Sequence, residues 1–152
     1  MSASELWVAY QADNEWTGQI VATVTTGAFS GRGSAWFSPD KVKETFLAAL
    51  QAFPLTAANP PLLEGGFWDK GQKGELEQCH LRITIKPHNS RGTLMVHVDL
   101  ATEASKSPDA ELQNCVTVRF LTEYGSLDSF AAQFEQVLDG KEKVALLKGT
   151  AN

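Results

Sequence analysis

The segment 79–100 constrains this chain more than any other. Leu81, Ile83 and Ile85 alternate with His80, Arg82, Thr84 and Lys86. After a connection holding Pro87, Asn89 and Gly92, Leu94, Val96, Val98 and Leu100 alternate with Met95, His97 and Asp99. Alternation of this kind sends one set of side chains to a buried face and the other toward solvent. Two such runs around a Pro/Asn/Gly connection predict a β-hairpin. The hairpin says how the chain folds and carries no chemistry of its own.

The rest of the chain supplies partners for that hairpin. Residues 5–10 and 16–26 are rich in Trp, Val, Ile and Thr, which favours strands, with Asp13, Asn14 and Glu15 as turn residues between them. Gly27, Gly31 and Gly33 lie within seven residues, predicting a tight hairpin turn or a bulged edge with Arg32 at its tip, before a strand over 34–37. Ser38, Pro39 and Asp40 form a helix start: a cap, a residue suited to the first turn and a charge that meets the positive end of the dipole. Val42, Phe46, Ala49, Leu50 and Phe53 then recur at helical spacing until Pro54. Residues 54–74 read as a loop, with a short strand at 62–64 and a turn at Gly65-Gly66. Val116, Val118 and Phe120 mark another strand. Ser126 opens a second helix whose stripe is Leu127, Phe130, Ala131, Phe134, Val137 and Leu138, closed by Gly140. The expected fold is α+β, a mostly antiparallel sheet of about five or six strands with two amphipathic helices packed on one face. One domain spans 1–152. Its tail over 141–152 is expected to be loosely ordered, with Val144, Leu146 and Leu147 available for one more turn or strand.

Composition narrows the class. With 43% hydrophobic residues the chain has enough apolar content for a core. No apolar run reaches the roughly 18 residues that span a bilayer. The start, Met1 to Trp7, has neither a basic nor an apolar region, so no signal peptide is expected and a cytoplasmic location follows. Thirteen basic and 18 acidic residues leave a net charge of −5, which argues against nucleic acid as a direct ligand and suits a basic partner. Cys79 and Cys115 lack CxxC spacing and are read as free buried thiols, close together if their strands are neighbours. No cofactor and no metal site are expected.

Candidate chemistry is sparse. His88 falls in the hairpin connection. His80 and His97 fall on the outward parity of paired strands, near Asp99, and a His-His-Asp cluster is able to bind a metal or act as an acid/base pair, in a small-molecule-binding or hydrolytic domain; polar residues on a wet sheet face are the plainer reading. No serine stands in a GxSxG elbow, and Gly31-Arg32-Gly33 lacks the further glycine and helix of a phosphate loop. Trp36, Phe37, Phe46, Phe53, Phe120, Phe130 and Phe134 read as core. Phe67 and Trp68, beside Asp69 and Lys70, either anchor a partner or plug the open edge of the core, the plug being the stronger reading.

Three segments in order resemble the WapI-like bacterial immunity proteins, partners of WapA-type contact-dependent nuclease toxins. They are Phe29 to Phe37 followed by the capped helix with Phe46 and Leu50; Leu81 to Ile85, a turn with Gly92, and Met95 to Leu100; and Val118 to Phe120 with Leu127 and Phe130 opening the last helix. The likeness covers roughly residues 16–140. It implies a non-enzymatic cytoplasmic protein that binds and neutralises a toxin domain; the chain itself is expected to be a monomer or weak homodimer. The residues available for that protein contact are Phe67, Trp68, Asp69, Arg82, His97, Asp99 and Arg119.

Overall fold

The computed structural model describes residues 3–68, 74–104 and 109–150. It is an α+β fold with two antiparallel sheets of four strands each. The first has the order β3-β2-β1-β8, from Phe29–Phe37, Gly18–Thr26, Glu5–Ala12 and Ala145–Lys148. The second has the order β4-β5-β6-β7, from Leu62–Trp68, Leu76–Pro87, Thr93–Ala101 and Cys115–Glu123. Strand β3 touches all four strands of the second sheet, so the two sheets cross rather than run parallel. Their inner faces share one hydrophobic cluster. Leu6, Val8, Ile20, Ala22 and Val24 come from the first sheet; Leu81, Ile83, Ile85, Val96, Val98 and Leu100 come from the second.

The expected single sheet of five or six strands is therefore two sheets. Alternation identifies the inward residues of a strand; which strands pair is decided elsewhere in the chain. Here the decision lies in the glycines. A Cβ on Gly33 would stand 2.6 Å from the His80 carbonyl oxygen, and one on Gly31 would stand 2.2 Å from Val116 Cγ1. Both glycines let β3 lie directly across the second sheet. The turn itself is only Gly27-Ala28, with Gly27 at φ +57°. Arg32 thus sits in the middle of a nine-residue strand, not at a turn tip.

Segment 54–74 holds a full strand rather than a short one. Gly65 and Gly66 belong to β4 because it packs too closely for side chains: a Cβ on Gly65 would meet Phe37 Cζ at 2.7 Å and Ala35 Cβ at 2.8 Å. The tail also supplies a strand, β8, with Ala145 and Leu147 fully buried against β1.

Helix α1 runs over Pro39–Val42, continues as a π turn over Lys43–Leu47 and closes over Ala48–Leu50. Ser38 Oγ accepts the Lys41 amide at its start. Val42, Phe46 and Leu50 of the expected stripe are buried, Leu47 joins them within the wider turn, and Ala49 is half-buried. Phe53 falls beyond the helix end; it is 78% exposed and meets Tyr124 edge-on. Helix α2, Tyr124–Leu138, buries all six residues of its expected stripe. It touches β8 and β1 of one sheet and β7 of the other. The helices therefore sit where the crossing sheets diverge, not over one face, and no helix covers the outer face of either sheet among the described residues. No helix among them is long and apolar enough to cross a membrane.

Candidate functional site

The outer face of the second sheet carries four of the residues that the sequence singles out. Strand register sets them in two neighbouring rows. One row runs Leu62, Thr84, His97, Arg119; the other runs Glu64, Arg82, Asp99, Thr117. Arg82 Nε donates to Glu64 Oε2 at 2.9 Å, and Thr117 Oγ1 donates to Asp99 Oδ1 at 2.6 Å. His97 Nε2 lies 3.1 Å from the other Asp99 oxygen. The hydrogen bond to Glu64 strengthens Arg82's hold on its proton, against the smaller opposing effect of burial. Exposed pairs of this kind contribute about 0.2–1 kcal/mol each. Their main effect is positional, fixing alternating charges on a stiff backbone.

The structure does not assemble His80, His97 and Asp99 into one cluster. His97 faces Thr84 across the ladder, four residues along β5 from His80, or about 13 Å at strand rise. His80 also leaves the outward row. Gly65 pairs with Leu81 and Gly66 with Cys79, so His80 lies in a bulge and turns inward to 4% exposure. That bulge returns Cys79 to the outer side, where burial pushes its thiol pKa up while nearby Arg82 draws it down less strongly. Cys79 is half-buried and Cys115 exposed, against the expectation of two buried thiols. Strand β6 separates their strands.

His80 has a defined chemical state. The Gln78 side chain pairs with the Ala104 backbone in both directions: Oε1 accepts the amide at 2.9 Å and Nε2 donates to the carbonyl at 3.1 Å. These two bonds orient the Gln78 amide. The atom facing His80 Nε2 at 2.5 Å is therefore the Gln78 oxygen, and Nε2 carries the proton. Burial lowers the His80 pKa, and Glu103 opposes this less strongly, so the ring is neutral near pH 7. Phe67 stands edge-on to the ring with centroids 4.6 Å apart. Phe67 thus both plugs this corner and remains 36% exposed, while Trp68, the last residue of β4, is 45% exposed. Asp69 lies outside the described residues.

A cleft of about 390 Å³, unmarked by any motif in the sequence, lies beside β3. Arg32, Ser34 and Trp36 line one side of it, and Phe67, His80 and Glu103 line another. Trp36, expected in the core, is 56% exposed there. Its parity with Arg32 and Ser34, opposite the buried Gly33 and Ala35, is the signal that would have placed it outside. Among the described residues no group of three or more His, Cys, Asp or Glu side chains is placed to hold a metal ion. Comparison with family models, curated proteins and solved structures finds no match for this chain.

Proposed function

We propose that the chain is a non-enzymatic protein-binding domain of the immunity type, neutralising a cognate bacterial toxin domain by direct contact. The contact surface in this reading is the outer face of the second sheet, with Arg82, His97, Asp99 and Arg119 at its centre and Phe67 and Trp68 at the end of β4. The observation that carries it is the fixed row Glu64–Arg82–Asp99–Thr117 on a sheet face that no helix covers. Charges already held in place select a partner of complementary pattern without the cost of ordering long side chains on binding. The net charge of −5 adds long-range attraction for a basic nuclease domain.

The test is co-expression with the toxin domain encoded beside this chain. The expected result is rescue of growth and a co-purifying complex. Charge reversal at both Arg82 and Asp99 is expected to weaken the complex by about tenfold or more, since each reversed charge opposes the partner's matching one. Absence of a complex together with absence of rescue ends the proposal.

A further inference from the structure

The four sheet edges are not equivalent. In the first sheet, Gly27-Ala28 is a two-residue turn, so its flanking pair Thr26 and Phe29 exchange both backbone bonds. The phase of the ladder follows: Gly31, Gly33, Ala35 and Phe37 bond to β2, while Ser30, Arg32, Ser34 and Trp36 direct their backbone N–H and C=O groups away from it. The same counting on β8 points Leu146 and Lys148 outward, and both are occupied. Gln133 Oε1 accepts the Leu146 amide, and the Lys148 carbonyl accepts Thr122 Oγ1. On β7 the Leu121 end alone is closed, its carbonyl accepting the Thr150 amide. Strand β4 is broken by two register shifts, at Gly65/Gly66 and Phe67/Trp68. Those are the ordinary ways of closing an edge. Strand β3 has none of them. Its nine residues pair with β2 without a bulge, contain no proline and carry one charge, Arg32. Among the described residues nothing bonds to its outward backbone groups.

This open edge borders the cleft of about 390 Å³. Arg32, Ser34 and Trp36 form the β3 side, and Phe67, His80 and Glu103 lie beyond it. Arg32 has no ion-pair partner among the described residues. The stretch from Arg32 to Trp36 is about 13 Å, the length that about five extended residues cover.

We propose that β3 is a peptide-docking edge: an extended segment of a protein partner enters the cleft and pairs with Arg32, Ser34 and Trp36 as a fifth strand of the first sheet. Backbone bonds to those three residues supply affinity. An acidic side chain of the peptide meets Arg32, and an apolar one lies against Trp36 and Phe67. Glu103 across the cleft repels a second carboxylate and so sets the direction of the peptide. A second copy of this chain would have to bring its own β2 in behind its β3, against the side of the cleft formed by Phe67, His80 and Glu103. This site shares Phe67 with the contact surface proposed above, but it rests on the backbone of β3 and stands whether or not the chain neutralises a toxin.

The test is amide hydrogen exchange on the isotopically labelled full chain. In the free chain the amides of Gly31, Gly33 and Ala35 exchange slowly and those of Arg32, Ser34 and Trp36 quickly. The probe is a blocked eight-residue peptide of alternating valine and threonine with one central glutamate. At saturation it is expected to slow exchange at Arg32, Ser34 and Trp36 by about tenfold or more. The same peptide, N-methylated at alternate residues, is expected to do nothing, which keeps the test independent of any change to the protein. Ser34→Pro removes one outward N–H at a position where an edge strand tolerates proline, and is expected to abolish protection while leaving the thermal midpoint within a few degrees. Any of four results overturns the proposal: slow exchange at the three amides in the free chain, no protection at saturating peptide, protection confined to the Arg82–Asp99 face, or a concentration-dependent dimer that protects the edge without peptide.

Discussion

The α-carbon of Gly33 approaches the carbonyl oxygen of His80 so closely that a Cβ built on it would stand 2.6 Å away, with Leu100 Cβ at 3.2 Å and the Ala101 nitrogen at 3.3 Å. Two of these three neighbours are backbone and cannot swing aside. The contact is where the two sheets cross, so it joins local sequence directly to architecture.

Gly33→Ala is therefore expected to destabilise by about 2 kcal/mol, the scale of overpacking in a filled core. At this chain length that lowers the thermal midpoint by about 4–8 °C. Gly125→Ala is the counterpart. Gly125 lies in the first turn of α2 with nothing within 4 Å of an added Cβ, so alanine there is expected to raise stability by about 0.5–1 kcal/mol through helix propensity and the unfolded chain. Thermal unfolding of the two variants beside the parent checks both. Equal effects would show that the sheets do not meet at Gly33.

The pattern of side chains made the two helices and most strands legible, because burial imposes a period and the period is visible. Leu127, Phe130, Ala131, Phe134, Val137 and Leu138 were readable as one face, and all six are buried. Partner choice left no such mark. Gly31, Gly33, Gly65 and Gly66 look like turn residues in sequence, yet all lie inside strands, where the missing side chain admits a neighbouring strand. The outer-face row was legible up to its members: Arg82, His97, Asp99 and Arg119 share a face as parity demands. The position of His80 was not, because a one-residue bulge reverses parity and carries no side-chain signature. The cleft beside β3 depends on the crossing of the sheets and was invisible for the same reason as the crossing.

His80 gives the fold a pH dependence with a definite sign. Burial holds its pKa below the ordinary histidine value of about 6.5. Between the two values the unfolded chain binds more protons than the folded one, so stability rises with pH across that window. The contribution is complete above about pH 6.5 and is lost as pH falls toward the depressed value. The thermal midpoint is expected to drop between pH 7.5 and pH 5.0. His80→Gln, which keeps a polar group near Gln78 and does not titrate, is expected to reduce that drop. An equal drop in the variant would assign the pH dependence to other groups.

The two thiols are expected to react separately. Cys115 is exposed, whereas Cys79 is half-buried and burial raises its thiol pKa, which leaves less of the reactive thiolate. Alkylation at pH 8 is expected to show a fast phase that Cys115→Ser removes and a slow phase that Cys79→Ser removes. With β6 between their strands the α-carbons stand about two strand spacings, or roughly 9–10 Å, apart, beyond the reach of a disulfide. Mild oxidation is therefore expected to leave no intramolecular bond, which mass spectrometry checks. A crosslinked monomer would show that β5 and β7 are neighbours.

Tyr10 presents the reverse of a satisfied polar group. Among the described residues its hydroxyl is the one buried side-chain oxygen or nitrogen without a hydrogen-bond partner. The ring packs where a Cβ on Gly18 would stand 2.5 Å from that same hydroxyl and 2.5 Å from the Gln11 carbonyl. Burial, with a smaller push from Asp13, raises the phenol's pKa, so the group is neutral and its cost is that of a lost bond to water. Such a cost is about 1–3 kcal/mol, and removing the oxygen while keeping the ring recovers part of it. Tyr10→Phe is expected to stabilise by about 1 kcal/mol, raising the thermal midpoint by about 2–4 °C. Gly18→Ala, which drives a methyl group into the same hydroxyl, the ring carbon that bears it and the Gln11 carbonyl, is expected to destabilise, and only slightly less so on the Tyr10→Phe background, where the ring carbon at 2.6 Å and the carbonyl at 2.5 Å remain. A lower midpoint for Tyr10→Phe alone would mean that the hydroxyl is bonded in solution, and that the corner between β1 and β2 is held by that bond rather than by the ring.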